Sequence, residues 1–164
     1  MLIVYIQRIP KTFCAFRIIE HAFLQGGLYL SWKEIDHTAD AGIEVMSDSL
    51  EELFSEAAEA FYFIMFDSST FAGNVQKDHT VVLEGMDLAD LAVQWLNELI
   101  YIWDTERSIF TPSMIKVDTD DLRLTVKGSL LKNDHSAGKV KAATYGGLVL
   151  KTQPFFFLRV FLDI

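Results

Sequence analysis

Cysteine is almost absent from this sequence, and that scarcity excludes several classes of site. Cys14 is the only cysteine among 164 residues, so the chain cannot form an internal disulfide, a zinc site built from thiolates or an iron–sulfur cluster of its own. Histidine is scarce too. His21, His37, His79 and His135 lack the spacing of zinc ligands, and we interpret them as surface or capping residues.

Long apolar runs are also missing. A membrane-spanning helix needs roughly 18–20 apolar residues, and every apolar run here is far shorter. The N-terminal run 2-LIVYI-6 is ended by Gln7, Arg8 and Pro10, and no clean small-residue cleavage site follows. We therefore expect a soluble cytoplasmic protein that does not enter a membrane.

Positive charge is in short supply. The chain has 14 lysines and arginines against 23 aspartates and glutamates, a net charge of -9. Residues 1–30 carry three basic residues and one acidic residue, so residues 31–164 carry -11. A surface this acidic repels phosphate backbones, so we expect no strong direct binding of RNA. A basic protein partner fits the charge better.

The length and the 51% hydrophobic content predict one domain with a substantial core. Residues 1–27 differ from the rest, because they are mildly basic, patchily apolar and end in Gly26-Gly27. We expect them to be an N-terminal extension and residues 28–164 to be the domain. The extension is open to two interpretations: an extra strand or helix packed on the domain, or upstream sequence translated from a wrongly chosen start.

Two segments show the apolar periodicity of amphipathic helices. In the first, Ser49 and Glu52 have the spacing of a capping box, and apolar residues then recur at three- and four-residue steps. The second is predicted to begin after Asp87 as N-cap, with Asp90 well placed against the helix dipole, and to end near Arg107. The apolar face of each helix is predicted to lie in the core.

The remaining patterned segments read as strands. They are predicted at 41–46, 78–85, 113–119, 122–130, 139–151 and 155–164. Two helices interspersed among such strands predict an α+β fold, with both helices packed on a largely antiparallel β-sheet. Asp118, Asp120 and Asp121 fall in a predicted hairpin turn, where aspartate is favoured for backbone reasons alone, and we assign them a structural role.

No glycine-rich phosphate loop and no nucleophile elbow occurs, so the remaining chemistry is that of oxygen ligands. Asp36 and Asp40 flank a short connection, and the chain ends on Asp163 and Ile164, which places a free carboxylate beside an aspartate side chain. Hard cations such as Ca²⁺ and Mg²⁺ prefer several oxygen ligands. The alternative is that the terminal aspartate is simply solvated.

Four features together resemble the archease family. They are the run 36-DHTAD-40, the helix pattern 49-SLEELFSEAAEAFYFIM-65, the run 139-KVKAATYGG-147 and the Asp-Ile terminus. The match spans about residues 30–164. Members of that family are small acidic α+β proteins that activate the RNA-splicing ligase, which joins 2′,3′-cyclic-phosphate ends to 5′-hydroxyl ends, as in tRNA splicing.

The resemblance implies a divalent cation, with Ca²⁺ favoured over Mg²⁺, bound by Asp40, Asp163 and Ile164. Asp36 is a weaker candidate ligand, because glutamate also occurs at that position in the family. The resemblance further implies an RNA-splicing ligase as the partner, with GTP used only through that ligase. The chain is then an activator that makes and breaks no RNA bond itself.

Two rival functions remain open at this point. A metal-dependent hydrolase would use Asp36, Asp40 and Asp163 directly, with His37 as the only nearby general base. A chaperone-like binding module would need an exposed apolar patch, for which the Phe-rich last strand is the candidate. The chain also departs from the family pattern in two places: Gly146 replaces the usual histidine after the Thr-Tyr pair, and 153-QPFFFL-158 replaces the usual approach to the last strand.

Overall fold

The computed structural model describes residues 32–36, 40–66, 71, 73–132 and 138–164. These residues form two α-helices and seven β-strands. In chain order the elements are β1 (Trp32–Asp36), β2 (Asp40–Ser47), α1 (Leu50–Phe66), β3 (Asn74–Glu84), α2 (Leu88–Glu106), β4 (Ser108–Asp118), β5 (Arg123–Lys132), β6 (Ala142–Lys151) and β7 (Phe156–Asp163). The extension at 1–27 lies outside the described residues.

The strands divide into two antiparallel sheets. One has four strands in the order β1-β2-β7-β6, and the other has three in the order β3-β5-β4. The predicted α+β class is confirmed, as are both helices. The division into two sheets was not indicated by the strand patterns, and β3 and β4 begin earlier than predicted, at Asn74 and Ser108. None of the helices in the described ranges is both long and apolar enough to cross a membrane.

Both helices start where their capping residues predict. The Ser49 hydroxyl accepts a hydrogen bond from the Glu52 N–H at 3.1 Å, and the Asp87 carboxylate accepts one from the Asp90 N–H at 2.7 Å. At the other end of α2, Arg107 adopts a left-handed conformation with a φ of 49° and closes the helix. These local bonds satisfy N–H and C=O groups that a helix end leaves open.

The core lies between the helices and one face of each sheet. Every apolar position of the predicted α1 face is buried. In β7 the residues that alternate toward the helices, Leu158, Val160 and Leu162, are also buried, as period-two alternation requires. A fully buried side chain of this size stabilises the fold by about 1.5–3 kcal/mol, so the central strand contributes strongly to stability.

Three buried or half-buried polar contacts join the layers. The Trp95 indole N–H donates to the Phe54 carbonyl at 3.1 Å, and the Tyr62 hydroxyl accepts from the Phe110 N–H at 3.1 Å. Burial raises the pKa of Tyr62, so its hydroxyl stays neutral. Asn97 on α2 bonds both backbone groups of one β6 residue, donating to its carbonyl at 3.1 Å and accepting from its N–H at 2.9 Å. Asn97 thereby satisfies an edge strand that would otherwise be open there.

The β4–β5 hairpin confirms the predicted structural role of Asp118. One Asp118 carboxylate oxygen accepts from the N–H groups of Asp120 and Asp121, each at 3.1 Å. These bonds to the charged form lower the pKa of Asp118. The carboxylate is used by the turn itself, as an Asx turn uses it.

A hydrogen bond joins an irregular stretch of β6 to the start of α2. The register shifts between Thr144 and Val149, and within that stretch the Tyr145 hydroxyl donates to the buried Asp90 carboxylate at 2.6 Å. The same carboxylate accepts from the Met86 N–H at 2.8 Å. The hydrogen bond from Tyr145, followed by the one from Met86, lowers the pKa of Asp90 despite its burial. Gly146 and Gly147 follow Tyr145.

The glycine pair yields a first prediction. Gly147 has a φ of +71°, and a Cβ there would lie 2.7 Å from Phe161. We expect Gly147→Ala to lower the free energy of unfolding by roughly 1–3 kcal/mol, because both the left-handed backbone and the crowding are unfavourable. Gly146→Ala is the matched control, since a Cβ there meets only Thr144 Oγ1 at 3.9 Å. Urea unfolding followed by circular dichroism compares the two, and equal midpoints would contradict the role given to Gly147.

The Tyr145–Asp90 bond yields a second prediction. Tyr145→Phe removes this hydrogen bond, and we expect it to lower the free energy of unfolding by about 1 kcal/mol at neutral pH. A carboxyl group with a lowered pKa in the folded state stabilises the protein above its ordinary pKa and loses that effect as the pH falls. The difference in the free energy of unfolding between wild type and Tyr145→Phe should therefore have its complete value at pH 7 and decrease below about pH 4. Tyr101→Phe, at another exposed tyrosine, serves as control. A gap that stays constant down to pH 3 would show that the ionised carboxylate does not matter.

Candidate metal centre

The register of the four-stranded sheet brings the two ends of the predicted site together. β2 pairs with β7 so that Asp40 lies directly opposite Asp163. Opposed residues in an antiparallel ladder have Cα atoms about 4.5–5.5 Å apart. The first residue of β2 and the last residue of β7 therefore meet at one end of the sheet, although 122 residues lie between Asp40 and Asp163 in the sequence.

The other candidate residues lie close to this pair in the ladder. Asp36 is the partner of Ala41 at the end of β1, next to Asp40. On the far side of β7, Ala142 is the partner of Asp163. The side chains of Asp36 and Asp40 and all of residues 37–39 lie outside the described residues, so their oxygen positions are not part of this geometry.

The chain terminus is held differently from the sequence-based expectation. Alternation predicts that Ile164 packs beside Leu162 and Val160, but β7 ends at Asp163 and the Ile164 side chain is 45% exposed. That prediction is wrong, because the terminal residue lies beyond the last paired position. Polar contacts with Lys141 hold the end instead. The Lys141 N–H donates to the Asp163 carbonyl at 2.7 Å, and its ammonium donates to the Ile164 main-chain oxygen at 2.9 Å.

Lys141 sets the electrostatics of the chain end. Its ammonium offsets part of the negative charge that the Asp163 side chain and the terminal carboxylate bring together. A cation bound here would share the terminal oxygens with this ammonium. Such a site tolerates a hard divalent ion, because the donors are all oxygen and the edge is exposed to solvent.

The residues at this edge would make at most part of a calcium or magnesium site. Asp163 lies opposite Asp40 in the ladder and next to the last residue, Ile164. Hard cations take six to eight oxygen ligands, so water or a partner would have to supply the rest. Within the ranges whose side chains are described, no group of three or more His, Cys, Asp or Glu residues is arranged to hold a metal. The side chains of Asp36, His37 and Asp40 lie outside those ranges.

The histidines add no second centre in the described part of the chain. His79 lies on β3 in the three-stranded sheet, and its ring packs edge-on against Phe110 at 5.7 Å between centroids. His21, His37 and His135, together with Cys14, are outside the described residues. His79 was predicted to be a surface or capping residue; it is half-buried, and its ring packs against Phe110. The hydrolase alternative needs His37, which lies outside the described residues.

A charged cluster that the sequence did not single out lies on the same sheet. Glu44 is 8% exposed, and its carboxylate accepts hydrogen bonds from Lys33, at 2.6 Å, and from Arg159 Nε, at 2.7 Å. The hydrogen bond from Lys33 is the largest effect on the pKa of Glu44, and with Arg159 it keeps that pKa low against the desolvation that raises it. Only the strand register, which pairs residues 44 and 159, assembles this cluster.

Comparisons with known proteins agree with this architecture. The model of the Archease protein family matches residues 32–164. The protein archease of Archaeoglobus fulgidus is 32% identical over 125 residues, covering 76% of this chain and 82% of that protein. The protein archease of Methanothermobacter thermautotrophicus is 33% identical over 135 residues, covering 79% of this chain and 95% of that protein.

Two solved structures share the fold. The solution structure of protein 1598 from Methanobacterium thermoautotrophicum superposes with a TM-score of 0.62 at 30% identity, over 82% of this chain and 99% of that one. The crystal structure of an archease, described as a possible chaperone, from Thermotoga maritima gives a TM-score of 0.55 at 21% identity, over 80% and 96%. At that lower identity the likeness shows the fold alone. With the family match covering residues 32–164, this chain belongs to the Archease protein family.

Proposed function

We propose that this protein activates an RNA-splicing ligase, promoting guanylylation of the ligase and its repeated turnover. Membership of the archease family supports this function, and the observation that carries it is the pairing of Asp40 with Asp163 at an exposed sheet edge. In the proposal, Asp40, Asp163 and the Ile164 carboxylate bind a divalent cation, Ca²⁺ or Mg²⁺. The cation supplies positive charge that can hold phosphate oxygens.

The protein's own residues have defined tasks in this proposal. The carboxylates at the sheet edge bind the ion, while Lys141 holds the chain end so that its oxygens stay beside Asp163. The remaining coordination positions are open, so groups of the ligase or its nucleotide can complete them. The ligase itself makes the RNA bond and uses GTP.

The charge of the chain suits a protein partner. A net charge of -9 disfavours long RNA and favours a basic protein surface. Gly146, where the resemblance leads us to expect a histidine, has open space around it. Glycine at position 146 is therefore not required by crowding. Its effect is to remove an imidazole that a partner could otherwise contact.

A chaperone-like role is the alternative function. The structural relative from Thermotoga maritima carries that description, and Met46 and Phe155 are exposed here near the start of β7. Assaying this protein alone against an aggregating client, and then with a ligase, distinguishes the two functions. Protection of unrelated clients without any effect on ligation would favour the chaperone.

Metal binding gives a direct test. With three protein ligands at most, we expect a dissociation constant for Ca²⁺ towards the range of about 10⁻⁴–10⁻³ M. Asp163→Asn removes one anionic ligand and should weaken binding at least about tenfold, with little effect on folding because the position is exposed. Asp120→Asn makes the same charge change at the hairpin tip and should bind normally. Isothermal titration calorimetry measures all three. Equal affinities would remove Asp163 from the site, and a ligation assay with the same proteins tests its part in activation.

The free terminus gives a second test. A hexahistidine tag after Ile164 turns the terminal carboxylate into a neutral amide and moves the new charge several ångströms away, so the site loses one formal negative charge. We expect the C-terminally tagged protein to fold normally and activate poorly, and the N-terminally tagged protein to activate fully. Multiple-turnover ligation at fixed Ca²⁺ and GTP compares them. If both forms are equally active, the chain end is only a solvated strand end.

A further inference from the structure

One edge of the three-stranded sheet is open. The strand order is β3-β5-β4, and no strand among the described residues lies beyond β3. The open stretch runs from Asp78 to Val82, between a bulge at Val75–Lys77 and the end of the strand at Glu84. It contains no proline and no bulge, two of the features that commonly prevent an edge strand from pairing further. We call residues 78–82 the β3 edge.

The hydrogen bonds around this strand show which of its backbone groups are free. The Gly85 N–H donates to the Leu122 carbonyl at 2.9 Å, one step beyond the pair of Glu84 with Arg123 in the ladder. In an antiparallel ladder, residues that exchange bonds with the neighbouring strand alternate with residues that do not. The odd-numbered residues of β3 from 79 to 83 therefore bond β5. The N–H and C=O groups of the even-numbered residues 78, 80 and 82 are directed to the open side.

Contacts on both strands agree with that direction. The carbonyls of Lys127 and Ser129, which lie opposite residues 80 and 78, accept hydrogen bonds from hydroxyl groups of β4 at 3.1 and 3.0 Å. They are therefore turned away from β3. At the end of β3 the Glu84 carbonyl accepts from the Gln94 side chain at 3.1 Å. Within the described part of the chain, the six backbone groups of residues 78, 80 and 82 make no hydrogen bond.

The side chains between these residues hold the strand in place. Val81 is buried in the core, and the His79 ring packs edge-on against Phe110. The side chains of Thr80 and Val82 lie on the other face and are exposed. An incoming strand therefore meets a backbone that is already extended and fixed, so little conformational freedom is lost on binding.

Helix α2 flanks the β3 edge and contacts β3 at both ends. The Lys77 ammonium lies 3.2 Å from the Glu106 carboxylate at the end of the helix, and Gln94 near its start bonds the Glu84 carbonyl. Strand addition to an exposed sheet edge is a recurrent way to bind an extended peptide, with main-chain hydrogen bonds supplying affinity. The two contacts limit the segment that fits to roughly five residues, since four steps along a strand measure about 14 Å.

The charge around the edge indicates which kind of segment fits. Counted together, β3, β5 and α2 with its caps Asp87 and Arg107 carry seven acidic and five basic side chains, a net charge of -2. The whole chain carries -9, so a second copy is repelled and a basic segment is attracted. Thr80 and Val82 favour β-branched neighbours across the ladder. A segment in which lysine or arginine alternates with β-branched residues therefore matches the edge.

We infer that the β3 edge binds an extended basic segment of a partner protein, which adds to the three-stranded sheet as a fourth strand. The backbone groups of residues 78, 80 and 82 exchange up to six hydrogen bonds with the segment, and the acidic surroundings attract its cationic side chains. This binding mode rests on the proposed function, in which the partner is the ligase. It holds that partner at a surface separate from Asp40 and Asp163, which belong to the other sheet.

The test titrates full-length, ¹⁵N-labelled protein with the peptide acetyl-Lys-Thr-Lys-Val-Lys-Thr-Lys-amide and follows amide hydrogen exchange at each residue by NMR. Thr80→Pro removes one N–H and blocks the edge, and proline is tolerated at edge positions whose N–H faces solvent. Thr80→Val keeps the N–H and the branched side chain and is the matched control. Val82→Pro is a second blocking variant. A peptide with glutamate in place of each lysine tests the charge.

In the free protein, the amides of residues 80 and 82 should exchange quickly and those of residues 79, 81 and 83 slowly, because only the latter bond β5. Saturating peptide should slow exchange at residues 80 and 82. Thr80→Pro should weaken peptide binding at least about fivefold, through the loss of one or two hydrogen bonds, and Thr80→Val should bind like wild type. In multiple-turnover ligation, Thr80→Pro should need at least about fivefold more protein for half-maximal activation.

Four results would overturn this binding mode: no saturable peptide binding, equal losses in Thr80→Pro and Thr80→Val, a glutamate peptide bound as tightly as the lysine peptide, or slow exchange at residues 80 and 82 in the free protein. The last is also the result expected if residues 1–30 or a second copy already cover the edge. If Thr80→Pro fails to fold, Val82→Pro and the exchange pattern decide. Peptide binding without ligase activation by wild type would refute only the proposed function, and full activation by Thr80→Pro would refute only the role of the β3 edge.

Discussion

The candidate site depends on the position of β7 at the centre of its sheet. β7 pairs with β2 on one side and β6 on the other, and Leu158, Val160 and Leu162 are buried against the helices. A slip of one residue would turn all three to solvent, so burial holds the register strongly. That same register places Asp163 opposite Asp40. The polar end of the strand is thus positioned by apolar packing one to five residues before it.

The two faces of this sheet differ in composition and packing. The inner face is apolar and packs on α1 and α2. The outer face has to accommodate Glu44, which is almost fully buried yet remains charged because Lys33 and Arg159 both bond its carboxylate. A buried charge without partners would cost several kcal/mol. The compensation brings two cations, Lys33 and Arg159, to one carboxylate in the middle of the sheet.

Lys141 links the sheet to the chain end. It follows the stretch 133–137, which is outside the described residues, and it precedes β6 directly. Its N–H bonds the Asp163 carbonyl and its ammonium bonds the Ile164 main-chain oxygen, so the position of the terminus depends on the residue before β6 as well as on β7. A terminal residue without such bonds would be poorly ordered, as chain ends usually are. The main-chain oxygen of Ile164 is therefore held by a basic side chain.

The sequence by itself determined the elements that depend on neighbouring residues. Ser49 with Glu52, and Asp87 with Asp90, predicted both helix starts because capping bonds span only three residues. Three- and four-residue periodicity predicted the buried face of each helix, and in the predicted hairpin turn Asp118 accepts from the N–H groups of Asp120 and Asp121. Asp40 and Asp163 were proposed as partners from family resemblance, and nothing in their local sequence brings them together.

Only the tertiary structure decided what depends on strand order and register. Alternation shows which residues share a face but not which strand lies alongside, so the two sheets, the pairing of Glu44 with Arg159 and the position of Phe161 between Gly42 and Gly147 could not be derived from local patterns. The Ile164 prediction was wrong for a related reason. Alternation indicated which side of the sheet the Ile164 side chain faces, but whether that side chain is covered depends on where the neighbouring strands end. Which distant strands pair, and in which register, depends on the arrangement that buries the apolar residues of all the elements together. Local sequence patterns do not contain that information.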